Sequence, residues 1–506
     1  MTNQFQKFSK EKICLVTPPS PFLLDERVFL HLGVLKVASS LETNGYPVDF
    51  LDLSGVHNFL DVIDAYLKNN PDVHTFGLTA TTPQVPSAVK ICKLIKKFNK
   101  KVILGGPHVT LMHSASKREK RRGLDYSRRA TDDVTQLDKL FDVLVCGDGE
   151  YSIFEALEIE NGIVDADDRK SKYFLSHQQF SELPLPARHL VDMESYNYKI
   201  EGERATSLVA QLGCPFQCTF CSGRNSPFLR KMRTRSSESV LEEIDHLYKT
   251  YGFKGFMFYD DELNVNKDFV RLMNMISDYQ DQHGVDFKLR GFVKAELFTE
   301  AQAQAMYRAG FRWLLTGFES GDERILKNIK KIATRKDNTR CIQFAKKHNL
   351  KVKALMSVGH AGESPESVEN TKKWLLETEP EDFDCTVITT YPGSPYFDDA
   401  FEENDYFVYE DKRTKDRLYQ AKINYLKDLD YYKGDPEGGY VSYVWTDHIS
   451  AKDLVEQRNE LESEVREKLN IPFNPGRPGI KYEHSMGMGN IDIPDYILKT
   501  SKQEEE

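Results

Sequence analysis

No apolar run in this sequence approaches the roughly 18 residues that a membrane-spanning helix needs, so no membrane span is expected. The opening Met1-Thr2-Asn3-Gln4-Phe5-Gln6-Lys7 has no signal-peptide core, which predicts a cytoplasmic protein. Basic residues do not prevail either: Lys and Arg number 68 against 78 Asp and Glu, a formal net charge of −10. That balance excludes a general nucleic-acid binder. Cysteine is sparse, with eight in 506 residues, too few for a disulfide framework. What is present is an ordinary globular composition, 40% hydrophobic and 29% charged, with length for two or three domains.

Three of the cysteines are grouped. Cys214-Pro215-Phe216-Gln217-Cys218-Thr219-Phe220-Cys221 follows the apolar run Ser207-Leu208-Val209-Ala210, which reads as a strand ending in a loop. Steps of four and three residues let three thiolates converge on one face of an iron–sulfur cube, whose soft irons favour sulfur. The fourth iron keeps an open position, the feature that separates a catalytic from a structural metal site. A zinc knuckle is the alternative and needs a fourth ligand nearby, but the nearest downstream histidine, His246, sits in a helical pattern. Inert buried thiols are a further alternative. Cys-x3-Cys-x2-Cys with Phe220 before the last cysteine resembles the signature of radical S-adenosylmethionine (radical SAM) enzymes. The resemblance implies a [4Fe-4S] cluster on Cys214, Cys218 and Cys221, with the open iron chelating the amino and carboxylate groups of SAM.

From the start of the chain, Lys12-Ile13-Cys14-Leu15-Val16 predicts a buried strand closed by Thr17-Pro18-Pro19-Ser20-Pro21. Leu32, Leu35, Val37, Ala38 and Leu41 recur at helical spacing, and Asn44-Gly45 ends that helix. Further strands are expected at 48–53, 75–79, 101–104 and 141–145, with a helix at 85–98. This alternation means an α/β domain with a doubly wound, Rossmann-like parallel sheet, whose ligands bind in the loops after the strands. Those loops hold Gly105-Gly106-Pro107-His108 and Cys146-Gly147-Asp148-Gly149-Glu150. Together with the Pro-Pro-Ser loop they resemble the cobalamin-binding domain of one large radical SAM class, over 10–160. The resemblance implies Pro18, Thr79, Ala80, Thr81, Gly105, Gly106, His108, Gly147 and Gly149 around the cofactor. No Asp-x-His-x-x-Gly motif is present, so a histidine ligand to cobalt is not implied. A rival reading, a methylthiolating enzyme with a second cluster on Cys14, Cys92 and Cys146, conflicts with Cys14 inside an apolar run and Cys92 on a helix.

Lys117-Arg118-Glu119-Lys120-Arg121-Arg122, with Arg128-Arg129 after it, reads as a solvated basic insertion between the fourth and fifth strands. A linker over 161–200 contains Leu183-Pro184-Leu185-Pro186-Ala187-Arg188. Over 201–400, strands alternate with helices and end in Asp260-Asp261-Glu262, Lys288-Leu289-Arg290-Gly291, Gly317-Phe318-Glu319-Ser320-Gly321, His360-Ala361-Gly362-Glu363-Ser364-Pro365 and Tyr391-Pro392-Gly393-Ser394-Pro395. These resemble successive radical SAM core motifs and imply a partial (βα)6 barrel. They place Phe220, Asp260, Asp261, Arg290, Glu319, Ser320 and Met356 in the SAM site, with Glu319 on the ribose hydroxyls and Arg290 on the SAM carboxylate or in a structural role. The region 401–506 reads as mainly helical, with patterns at 418–432 and Ala451–Leu469. It ends in Lys481-Tyr482-Glu483-His484-Ser485-Met486-Gly487-Met488-Gly489, in which Tyr482 or His484 can touch substrate, and a frayed Lys502-Gln503-Glu504-Glu505-Glu506.

The resemblance implies an enzyme that cleaves SAM reductively to a 5′-deoxyadenosyl radical and methylates a carbon or phosphorus centre by way of cobalamin. Alternatives are cyclisation or rearrangement, a methylthiolase without cobalamin, and a non-enzymatic cluster carrier. The partners implied are an electron donor such as flavodoxin or ferredoxin and a small-molecule, lipid or peptide substrate that the sequence does not name, on a monomeric chain.

Overall fold

The computed structural model describes residues 10–20, 26–124, 129–432 and 440–472; the cluster at 482–488 and the terminal 502–506 lie outside the described residues. Six strands form the first sheet: β1 (Ile13–Thr17), β2 (Val48–Asp52), β3 (Thr75–Thr79), β4 (Lys101–Gly105), β5 (Val143–Cys146) and β6 (Gly162–Asp165). All pair in parallel, in the order β2-β1-β3-β4-β5-β6. Alternate residues feed two separate cores. Ile13, Leu15, Ile103, Val143 and Val145 face one, and Cys14, Val16, Phe76, Leu78, Val102, Leu104 and Leu144 face the other. A strand buried on both faces reads as a continuous apolar run, which is why these segments were legible. The connections reverse direction between β1 and β3, so the ligand crevice of such a sheet lies at the carboxyl ends of these strands. The sheet extends beyond residue 160, because β6 pairs with β5 inside the stretch expected to be linker.

The second sheet is built from β7 (Lys199–Ile200), β8 (Glu203–Leu208), β11 (Gly255–Phe258), β12 (Lys288–Phe292), β13 (Phe311–Glu319), β14 (Lys351–Val358) and β15 (Asp382–Val387), in the order β15-β14-β13-β12-β11-β8-β7. The six strands from β8 to β15 run parallel, and β7 lies antiparallel at the edge. Helices Ser237–Tyr251, Phe269–His283, Glu300–Arg308, Arg335–Lys347 and Pro365–Thr378 separate them, giving a partial (βα)6 barrel. Their starts are set by side-chain caps: Ser236, Thr299, Thr334 and Ser364 each accept an amide of the first turn. A two-residue ladder, β9 (Gln211–Leu212) against β10 (Arg233–Thr234), closes the ends of the cysteine loop.

Beyond the barrel, β16 (Phe401–Glu403), β17 (Tyr406–Glu410), β18 (Arg417–Ala421) and β19 (Val444–Trp445) form an antiparallel sheet. The helix expected over 418–432 is therefore corrected. Leu418 and Gln420 are buried while Arg417, Tyr419 and Ala421 are half-buried, a period of two rather than 3.6. Helix Ala451–Leu469 is present and covers the free edge of β15: Glu462 accepts the Cys385 amide at 3.1 Å and Arg458 donates to the Cys385 carbonyl. Among the described residues no helix is long and apolar enough to cross a membrane.

The basic run at 117–122 is not a solvated insertion. It forms the last turns of helix Pro107–Arg122, which docks on the barrel. There Arg118 pairs with the buried Asp398, Arg122 with Asp399 at 2.7 Å, and Arg129 donates to the Phe397 carbonyl at 2.6 Å. These contacts join the carboxyl-end loops of the first sheet to the mouth of the barrel.

Candidate active site at the barrel mouth

The cysteine loop is held from four sides. The Cys214 amide donates to Leu229, the Thr219 amide to Ile329, the Tyr396 amide to the Thr219 carbonyl, and the Asn225 amide to Gly393. Gly213 has a left-handed φ of 89°, and a Cβ there would collide with the Lys231 carbonyl. Cys214 and Cys218 are half-buried, whereas Cys221 is exposed. Burial raises all three thiols, Cys214 to about 11 and Cys221 to about 12. Lys331 and Lys294 oppose that rise at Cys218, and Cys218 and Cys214 add to it at Cys221, so the three groups share one electrostatic environment. Among the described residues no three His, Cys, Asp or Glu side chains are arranged to hold a single metal ion. His246 is occupied with Thr250 of its own helix. The donor set is thus three sulfurs on one loop, which suits a cluster in which each thiolate takes a different iron and does not suit zinc.

Glu319 stands across the mouth at the end of β13. Its φ of 66° is left-handed and the register slips between Gly317 and Glu319, so the carboxylate folds back over its own strand into space a Gly317 side chain would fill. Lys331 donates to Oε1 at 3.1 Å and Ser357 to Oε2 at 2.8 Å; the Ser357 hydroxyl also meets His360 Nε2 at 2.8 Å. Burial works against ionising Glu319, yet Lys331 and Ser357 hold its carboxyl below the usual range. Burial lowers His360 to about 4, so it is neutral. Its ring lies 5.3 Å from that of Phe220, linking this network to the cysteine loop.

The other residues expected in the SAM site are placed unequally. Asp260 is 2% exposed and accepts the amides of Ala210 and Gln211, so it fixes the strand that leads into the loop and does not reach the cavity. Asp261 accepts the Gly213 amide at 2.8 Å and is exposed at the mouth. Burial lifts Glu262, beside Lys294 and Lys331, to about 7. Ser320 faces outward to Thr371 at 3.1 Å. Met356 shares the outer face of β14 with Val352, Ala354 and Val358; its neighbour Ser357 turns inward. Arg290 stands level with Trp313 and Lys351, low in the barrel. The residues that sequence reasoning missed are Lys294, Lys331, Ser357 and His360. Only His360 carried a sequence signal, its Gly-His-Ala-Gly motif.

At the carboxyl edge of the first sheet, Pro18 follows β1, Ala80 and Thr81 follow β3, and Gly105-Gly106 close β4. Gly106 has a φ of 101°, and a Cβ there would come within 2.7 Å of the Ala80 amide. Gly147 packs as tightly on Ala166 and Asp167, and Gly149 on Val37, so these two serve chain packing. Gly105 is less crowded: a Cβ there would meet the Val145 carbonyl at 3.8 Å, an ordinary contact. His108 is 1% exposed, lowered by burial to about 3, and within 3.3 Å of Thr82 Oγ1 through Nδ1.

The Radical SAM superfamily model matches residues 208–375, and the B12 binding domain model matches 27–152. An uncharacterized methyltransferase of Pyrococcus horikoshii is 30% identical over 399 residues, covering 78% of this chain and 84% of that protein. The chain belongs to the cobalamin-binding radical SAM enzymes. An anaerobic magnesium-protoporphyrin IX monomethyl ester cyclase of Rubrivivax gelatinosus is 25% identical, over 74% of this chain and 67% of its own length. The fold is that of the radical SAM methyltransferase TsrM of Kitasatospora setae, solved with tryptophan substrate and a SAM analog: TM-score 0.64 at 16% identity, over 98% of this chain and 95% of that one.

Both cofactor sites of a cobalamin-binding radical SAM enzyme fit the residues present. The three-sulfur loop fits the cluster. At the edge of the first sheet, Thr17 Oγ1 and His108 Nε2 are buried without a partner among the described residues, polar atoms that the amide arms of cobalamin can satisfy. A second cluster in this domain is excluded by placement, since the Cys14, Cys92 and Cys146 thiols each lie in the apolar interior against a backbone carbonyl.

Proposed function

We propose that this enzyme transfers a methyl group from SAM, by way of cobalamin, to a carbon or phosphorus centre of a small organic substrate. Bound together, the cluster supplies the electron that breaks a carbon–sulfur bond of SAM, and cobalamin supplies the methyl carrier. Cys214, Cys218 and Cys221 hold the cluster with one iron open, and Asp260 and Asp261 fix the loop beneath it. Glu319, held by Lys331 and Ser357, accepts the ribose hydroxyls of SAM, with Phe220 packed beside it. Lys294 and Lys331 offset the negative charge gathered at the mouth. Pro18, Thr79, Ala80, Thr81, Gly105 and Gly106 border the corrin, and the walls of both domains keep water from the reacting atoms. A flavodoxin or ferredoxin reduces the enzyme, which works as a cytoplasmic monomer.

The observation that carries this reading is the convergence of Cys218, Lys331 and Glu319 at one barrel mouth, facing the carboxyl edge of a B12-binding sheet. Methyl transfer is favoured over cyclisation because the relative at 30% identity is a methyltransferase. Anaerobic incubation with SAM carrying a labelled methyl group and with hydroxocobalamin tests it. Labelled methylcobalamin and S-adenosylhomocysteine are expected; 5′-deoxyadenosine alone would favour the cyclase class.

A further inference from the structure

Below Glu319, the barrel interior holds a buried cation with no anion. Arg290 is 7% exposed, and among the described residues it makes no ion pair; its polar neighbour is the Tyr198 hydroxyl, a neutral group. Its Nε is sealed without a partner. An uncompensated guanidinium in such a place is costly, and buried charges in folded proteins are paired or hold a ligand. The guanidinium lies 5.9 Å from the Trp313 ring, whose indole donates to Glu201 at 2.6 Å, and Lys351 already neutralises Glu201. The adjacent Tyr198 hydroxyl is buried against the guanidinium and carries no charge to offset it.

The strand pattern aims Arg290 inward. Leu289 belongs to the outer core, whereas Phe292, two residues on, joins Met257 and Leu315 in the separate inner cluster. The same inner wall carries half-buried apolar groups. Phe292 and Leu355 come from the strands, and Phe29, from the loop after β1, packs 4.9 Å from Tyr198 and 5.3 Å from Tyr259. The level of Arg290 separates it from SAM. It aligns with Lys351, whereas Glu319 aligns with Met356, five residues and about 16 Å further along β14.

We propose that Arg290 is the anion-binding residue of a substrate pocket inside the barrel, and that the substrate is an organic acid, a carboxylate or phosphonate on a flat or apolar body. The inference rests on the radical SAM reading and adds the substrate class. Planar, bidentate pairing of a guanidinium with either anion supplies orientation, and the apolar wall takes the rest of the molecule.

The test uses the cluster-reconstituted full chain and three probes, benzoate, phenylphosphonate and neutral benzamide, followed by ligand-observed saturation-transfer NMR. The expected result is binding of the anions and, in Arg290→Gln, a loss of about tenfold or more, as expected for a charge-assisted hydrogen bond. Arg290→Lys should recover part of it, and SAM affinity should stay unchanged in both variants. Stronger binding of phenylphosphonate points to a phosphonate substrate, and stronger binding of benzoate to a carboxylate. Equal binding of benzamide and benzoate, no binding of either anion, undiminished binding in a folded Arg290→Gln, or a parallel loss of SAM affinity would each overturn the proposal. If Arg290→Gln does not fold, the wild-type contrast between benzoate and benzamide decides. Failure of the radical SAM reading shows separately, as absence of 5′-deoxyadenosine in the wild type.

Discussion

Gly317 has no side chain because the Glu319 carboxylate and the Lys331 ammonium occupy the space where one would stand. Gly317→Ala is expected to leave the fold intact and weaken SAM binding about tenfold or more by displacing that carboxylate, as equilibrium dialysis with labelled SAM would show. Lys331→Met leaves the buried Glu319 charge unopposed and should cost about 3–5 kcal/mol in urea unfolding. The two partners differ in legibility. Glu319 sits in a glycine-flanked motif at a strand end, but Lys331 arrives from a turn twelve residues later and resembles any surface lysine in sequence. The exchange of Met356 for Ser357 is a matter of strand parity, which a boundary error of one residue inverts. Asp260 and Asp261 are adjacent acids that both take up backbone amides, and only the structure shows that Asp260 is buried while Asp261 is exposed.

At the scale of elements, the helix Ser237–Tyr251 ties the linker to the end of the cysteine loop through one buried acid. Glu243 accepts from Arg188 of the linker at 2.6 Å and from Arg235 just after β10. Burial would raise this carboxyl, but the two guanidinium groups overcome it and hold it at about 2. The unfolded chain has a glutamate near about 4.3, so between these values the unfolded state binds more protons. The contribution is therefore full above that pH and is lost as pH falls toward 2. Glu243→Gln should cost about 3–5 kcal/mol at neutral pH and flatten the acid limb of a stability profile followed by circular dichroism. The parallel strands were legible because burial on both faces writes a plain apolar run. The antiparallel β18 was not, because Leu418, Ala421 and Tyr425, three and four residues apart, also satisfy a helical spacing.

Across the whole molecule, the two sheets meet through buried charge. Arg233 of β10, fully buried, reaches Asp148 after β5 at 2.6 and 2.7 Å. Asp167 accepts the Ser226 hydroxyl at 2.7 Å and the Phe228 amide at 2.8 Å. Residues that follow β5 and β6 of the first sheet thus brace the loop that holds the cluster. Asp148→Asn should lower the unfolding midpoint of the chain, and reconstituted protein should carry less iron per chain. This coupling was not legible in the sequence, since Asp148 lies in a Gly-Asp-Gly turn that suggests a ligand loop and its partner is 85 residues away.

The most direct measurement of the central claim is anaerobic. The cluster is reconstituted, hydroxocobalamin is supplied, the visible spectrum is recorded after desalting, and 5′-deoxyadenosine and S-adenosylhomocysteine are assayed with a strong reductant. Retained corrinoid bands together with SAM cleavage, the cleavage absent in Cys218→Ala, are the expected result. Cleavage without retained corrinoid, or corrinoid retention with no cleavage in the wild type, would contradict a cobalamin-dependent radical SAM enzyme.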